Sequence, residues 1–260
     1  MKDVQNIADH RGIAIQKVGV SDVRLPFLIK TKTGSFQSVL ASSKLTVDLP
    51  QEYKGTHMSR FIEVLSEWSQ KPISGKEMGF ILKDIIGRLD AQRASLDVSF
   101  KYFIEKTAPV SGLKSLLDLD CLFSGSLQKD EGMDFTLGLT VPFTSLCPCS
   151  KEISEYGAHN QRGIMRVKIK HIPGSFIWIE DLASIMEAQG SCPVYPLLKR
   201  EDEKYVTERA YDNPKFVEDV LRDLVIALRD LPGVQWFEVE CENYESIHNH
   251  SAYAAHIEHI

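Results

Sequence analysis

The chain has 260 residues, of which 43% are hydrophobic, 25% charged and 9% aromatic, enough for a buried core in one large domain or two small ones. A net charge of -6 argues against a nucleic-acid surface, which needs a basic face to neutralise phosphates. The start, M-K-D-V-Q-N-I-A-D-H-R-G, has no apolar core for a signal peptide, and no stretch is long and apolar enough to span a bilayer. Five cysteines are too few and odd for a disulfide framework, so a reduced, cytoplasmic protein is expected, with no nucleic acid or membrane as partner.

Residues 12 to 31 and 35 to 49 read as two extended segments joined by a turn at Lys32-Thr33-Gly34-Ser35. Met58, Phe61, Ile62, Leu65 and Trp68 then recur at helical spacing. A second amphipathic helix carries Met78, Ile81, Leu82, Ile85, Ile86 and Leu89. Period two returns at Leu96, Val98, Phe100 and Tyr102, and again at Leu117, Leu119, Cys121 and Phe123.

A polar break at Gln128-Lys129-Asp130-Glu131-Gly132 separates a second round of elements. Phe135, Leu137, Leu139, Val141 and Phe143 alternate, and Met165, Val167 and Ile169 do so after a polar loop. Residues 179 to 189 suit a short helix. A long helix is expected to begin with Asn213 as N-cap and Pro214 at its first position, and to stop before Pro232-Gly233. Residues 234 to 243 and 251 to 258 give two last strands, the first with Trp236, Glu238, Glu240 and Glu242 on a face turned to water or a lumen. The same order thus appears twice, which predicts an α+β chain of two modules, 1–129 and 130–260, each a four-stranded antiparallel sheet with two helices on one face.

The polar loop, S-L-C-P-C-S-K-E-I-S-E-Y-G-A-H-N-Q-R-G from Ser145 to Gly163, is poor in core-forming residues and rich in reactive ones. Cys147 and Cys149 flank one proline, a spacing that seldom aims two thiolates at one ion. Their plainer role is as small hydrophobes, but the neighbouring Lys151 favours a thiolate, and Cys149 is the candidate ligand or nucleophile. His159 is a candidate acid/base group or ligand, although a lone loop histidine is more often merely solvated.

Glu242-Asn243-Tyr244-Glu245-Ser246-Ile247-His248-Asn249-His250 offers carboxylates and two imidazoles for a divalent metal, or else a polar connection between strands. The charge run from Leu197 to Arg209 has the composition of a solvated loop, yet offers cations for a polyphosphate and carboxylates for a metal. Glu218 falls in the first turns of the long helix, where the positive end of the dipole favours a carboxylate. Of the other histidines, only His57, at a helix start, has a suggestive place. These residue types point to a metallohydrolase or thiol enzyme acting on a polar, phosphorylated substrate.

The runs C-P-C-S-K-E-I-S-E-Y-G-A-H-N-Q-R, L-L-K-R-E-D-E-K-Y-V-T-E, N-P-K-F-V-E-D and E-N-Y-E-S-I-H-N-H resemble those of GTP cyclohydrolase of type IB. The likeness extends from N-I-A-D-H-R-G-I to H-N-H-S-A-Y-A. It implies the tunnelling fold with two modules in the chain, a homo-oligomer, specifically a homotetramer, and conversion of GTP and water to 7,8-dihydroneopterin triphosphate and formate. Implied with it is one divalent metal ion per site (zinc, manganese or iron), on Cys149, Glu203, Glu245 and His248, and no organic cofactor. The resemblance makes Glu218 the anchor for the guanine edge and Lys151, Arg162, Lys199, Arg200 and Arg209 the candidates for the triphosphate. His159 and His250 become proton-transfer groups. A thiol nitrile reductase, an archaeal cyclohydrolase yielding a cyclic phosphate and a non-catalytic metal-binding module are the alternatives.

Overall fold

A computed structural model describes residues 9–260, so the first residues of the N-I-A-D-H-R-G-I run lie outside the described part. In chain order the elements are β1 (Ile15–Lys30), β2 (Phe36–Leu49), α1 (Met58–Ser69), β3 (Pro72–Ile73), α2 (Gly75–Leu89), β4 (Arg93–Thr107), β5 (Lys114–Gln128) and β6 (Met133–Leu146). There follow α3 (Pro148–Ile153), β7 (Asn160–His171), α4 (Ile179–Glu187), β8 (Cys192–Pro193), α5 (Arg200–Asp212), α6 (Val217–Arg229), β9 (Val234–Asn243) and β10 (Ala252–His259). Two compact units share them: one runs through Lys101 and takes in Cys121–Leu137, the other comprises Tyr102–Asp120 and Gly138–Ile260. The long strands β4, β5 and β6 each contribute a stretch to both.

In the first unit β1 pairs antiparallel with β2 and β2 with β4, while β3 adds a short parallel pair to β1. A Cβ at Gly19 would lie 2.0 Å from the Leu45 carbonyl oxygen. Just beyond it the β1–β2 register shifts between Val20 and Val23, with Asp22 at φ 56°, so glycine admits the close approach beside a β-bulge. α1 buries Phe61, Val64 and Leu65, and α2 buries Met78, Ile81, Leu82, Ile85 and Ile86. In α2 these are the periodic residues that the sequence offers, save half-buried Leu89, but in α1 the expected Met58 and Ile62 are exposed and Val64 is buried instead. Ser74 caps α2 in a reciprocal box, its hydroxyl accepting from Lys76 and its N–H donating to Glu77.

In the second unit β7 pairs antiparallel with β9, and β9 with β10. Met165, Val167 and Ile169 of β7 and Phe237, Val239 and Cys241 of β9 are buried. α6 packs on β9 and β10 and buries Val217, Val220, Leu224, Val225 and Leu228. Each such side chain removed from water contributes about 1.5–3 kcal/mol, so this apolar stripe holds the helix to the sheet. The opposite strand face is partly solvated, as the Trp236, Glu238, Glu240 and Glu242 alternation predicts. There Arg166 pairs with Glu242 at 3.1 Å and Lys168 with Glu238 at 2.8 Å.

Three elements differ from the sequence reading, the first being the short helix α3, which forms inside the polar loop. The charge run is a helix, α5, rather than a solvated loop, and α6 begins at Val217 rather than beside Asn213. Asn213 closes α5 instead: its N–H reaches the Arg209 and Ala210 carbonyls, and its amide donates to the Gly190 and Ser191 carbonyls at 3.2 Å. Pro214 then ends α5, since proline cannot continue a helix.

Candidate active site

The reactive loop is built on the end of β6. Pro148 opens α3, where its missing N–H costs nothing, and Cys147 is the N-cap, with its thiol accepting from Ser150 N–H at 3.5 Å. Ser150 Oγ donates to the Cys147 carbonyl at 3.1 Å and accepts from His159 N–H at 3.2 Å. Cys147 N–H donates to the His159 carbonyl at 3.1 Å, so the loop closes where β7 begins. Cys149, next on α3, is exposed. The two thiols are therefore unlike: one shapes the loop and the other faces outward.

His159 meets Gln161, with Nδ1 2.9 Å from the amide oxygen, and Gln161 Nε2 donates to Glu245 at 3.3 Å. A loop histidine and a carboxylate from the turn after β9 thus share one buried amide. The strand pairing sets that meeting. Gly163 lies opposite Asn243, and Tyr244 N–H donates to the Arg162 carbonyl at 2.9 Å. A Cβ at Gly163 would stand 2.6 Å from both Asn243 Oδ1 and Phe143 Cζ, so only glycine lets the strands close there. Asn243 Nδ2 also donates to Ser145 Oγ at 3.0 Å, and Ser145 Oγ donates to the Lys215 carbonyl at 3.0 Å. Lys215 N–H returns to the Leu146 carbonyl at 3.1 Å, which ties the lead-in of α6 to the base of the loop.

Among the candidate cations, Arg162, Lys199, Arg200 and Arg209 are exposed. Lys151 donates to the Tyr211 carbonyl at 2.5 Å and lies 4.2 Å above the Tyr211 ring, which joins α3 to the carbonyl end of α5. Arg209 donates to the Tyr205 hydroxyl at 3.3 Å. Lys199 and Arg200 begin α5, whose first turn is fixed by buried Asp202. That carboxylate accepts from the N–H groups of Val110 at 2.8 Å, Ser111 at 2.9 Å and Lys199 at 2.9 Å, and from the Ser111 hydroxyl at 2.6 Å. Burial opposes its ionisation, but these hydrogen bonds outweigh burial and hold the carboxyl well below the usual carboxylate range. Glu203 and Glu218 are exposed. His248 and His250 are exposed and stacked on each other, with ring centroids 5.0 Å apart and planes at 16°.

The structure thus brings His159 to Glu245, through Gln161, and sets Lys199, Arg200 and Glu203 on one helix turn. Among the described residues, however, no three His, Cys, Asp or Glu side chains converge where an ion would bind. The set Cys149, Glu203, Glu245 and His248 has the mixed sulfur, oxygen and nitrogen donors that suit zinc, manganese or iron. Gln161 and Asn243 are the residues that the sequence reading missed. Both have a visible signal: each is an amide in the inward phase of its strand, in step with Met165 and Val167 or with Val239 and Cys241.

The α+β architecture, with its mostly antiparallel strands and helices, is a tunnelling-like fold. It is shared at very low identity with the uricase from Arthrobacter globiformis, at a TM-score of 0.57 and 6% identity over 94% of this chain and 93% of that one. A uricase from Bacillus fastidious gives a TM-score of 0.56 and 8% identity over 96% and 93%. The family model described as type I GTP cyclohydrolase folE2 matches residues 1–254. The GTP cyclohydrolase FolE2 of Geobacter sp. (strain M21) is 53% identical over 255 residues, 98% of this chain and 94% of that protein. The one of Citrifermentans bemidjiense is 54% identical over the same shares. The chain belongs to the type I GTP cyclohydrolase folE2 family.

Proposed function

We propose that the protein is a cyclohydrolase that converts GTP and water to 7,8-dihydroneopterin triphosphate and formate, the first step towards folate pterins. The observation that carries this reading is the His159–Gln161–Glu245 chain, which places an oriented imidazole beside the outward thiol loop in a member of this family. Opening the purine five-membered ring and releasing formate require proton transfers at more than one atom, work that a fixed imidazole performs well. His159 is the first such group, and His250, stacked on His248, the second. Glu218 grips the guanine edge, and Lys151, Arg162, Lys199, Arg200 and Arg209 supply the charge that meets the triphosphate.

The proposal includes a divalent ion on Cys149, Glu203, Glu245 and His248. It also includes a homo-oligomer, a homotetramer, as the family resemblance implies. With it go two tandem modules, 1–129 and 130–260, and a cytoplasmic location. Among the described residues no helix is long and apolar enough to cross a membrane.

The test is incubation of the purified protein with GTP and manganese, iron or zinc, followed by oxidation and a search for pterin fluorescence. Fluorescent pterin with at least one metal is expected. None with any of the three overturns the cyclohydrolase reading.

A further inference from the structure

We infer that Gln161 is a positioning residue that sets which nitrogen of His159 exchanges protons; the functional part of this rests on the cyclohydrolase reading above. Glu245, as a carboxylate, only accepts, so the Gln161 group facing it at 3.3 Å is the NH2. The carbonyl oxygen of Gln161 therefore faces His159, 2.9 Å from Nδ1, and Nδ1 must carry a proton to complete that bond. In the neutral ring the lone pair is then on Nε2, which becomes the nitrogen that takes and returns a proton.

The amide has little freedom to do anything else. Gln161 is 7% exposed, at the inward phase of β7, and an unpaired amide there would be costly. Its two partners are fixed independently. His159 is held by its backbone bonds to Ser150 and Cys147, and Glu245 follows Asn243 and Tyr244, which are bonded to Ser145 and the Arg162 backbone. One side chain thus spans two rigid anchors and reads out as a single imidazole tautomer.

The experiment uses the full chain labelled with 15N-histidine. Imidazole nitrogen shifts give the His159 tautomer in wild type, Gln161→Leu and Gln161→Glu, and steady-state kinetics with GTP follow on the same samples. Wild type is expected in the Nδ1–H form. Gln161→Leu, which removes both bonds, is expected to lose that preference and to lower kcat on the order of 10–100-fold, with KM little changed. Gln161→Glu keeps an acceptor for Nδ1–H and is expected to keep the tautomer. An unchanged tautomer in Gln161→Leu, or a kcat within about twofold of wild type, overturns the inference. Should Gln161→Leu not fold, Gln161→Met, unbranched like glutamine and without its amide, takes its place, and an unchanged tautomer there overturns the inference. The tautomer is read without turnover, so a wild-type protein that forms no pterin sinks the cyclohydrolase proposal and leaves this measurement standing.

Discussion

Asn243 donates its side-chain amide to the Ser145 hydroxyl at 3.0 Å, across 98 positions of the chain and inside the core of the second unit. Ser145 passes the connection to the Lys215 carbonyl, so the end of β9, the base of the reactive loop and the lead-in to α6 meet at one hydroxyl. Asn243 is 2% exposed, and truncation would strip Ser145 of its donor in a dry setting. Asn243→Ala is therefore expected to lower stability by about 1–3 kcal/mol, the cost of leaving a buried polar group unmatched. Chemical denaturation of the two proteins measures it. A loss below about 0.5 kcal/mol, typical of surface substitutions, contradicts the account.

Asp202 makes stability depend on pH. Its carboxyl is held low in the folded protein by four donors, while in the unfolded chain it titrates at about 3.9. The unfolded state thus binds the proton more readily. The stabilisation is present above the unfolded value and is lost as pH falls towards the folded one. Asp202→Asn is expected to melt at lower temperature than wild type at neutral pH, with a gap that narrows as the buffer is acidified below about pH 4. Thermal melts over a pH series check it, and a gap that widens on acidification contradicts it.

Much of this fold is legible in the sequence because most elements bury a regular face. Most of the alternations of β4 to β7 and of the stripes of α1, α2 and α6 return as buried residues, although Met58 and Ile62 of α1 are exposed and Phe135 of β6 is half-buried. α5 is hidden for a physical reason: it buries only Asp202 and Ala210, so it has no apolar period. Asp202 near its start and Asn213 at its end fix it, and Asn213-Pro214 then imitates the start of the next helix when it is the stop of this one. The site divides in the same way. Cys149, His159, Glu245 and His248 stand out by residue type, whereas the Gln161 link spans 84 positions and exists only through the β7–β9 register. An amide at a core-phase position is the trace it leaves in the sequence.

The two loop thiols are expected to separate in function. Cys147 is the N-cap of α3, its thiol accepting Ser150 N–H at a long 3.5 Å, whereas Cys149 is exposed on the first turn. Cys147→Ala should cost no more than a weak cap, about 1 kcal/mol or less, and leave substantial turnover. Cys149→Ala should abolish pterin formation and weaken metal retention. Activity and metal content measured on both variants decide it, and equal loss in the two refutes the assignment.

Glu218 has two possible employments, and its neighbour separates them. At the start of α6, Asp219 accepts Phe216 N–H at 3.0 Å, so the capping task is already taken by the next residue. Glu218 is exposed on the same turn. Its loss should cost only the helix-dipole contribution, about 0.3–1 kcal/mol. If the carboxylate instead holds the guanine edge, Glu218→Ala cripples GTP binding while the bound metal stays in place. Nucleotide binding, metal analysis and a thermal melt on one preparation distinguish the roles. Intact GTP binding with a markedly lower melting temperature would show that Glu218 supports the helix and that another group reads the purine.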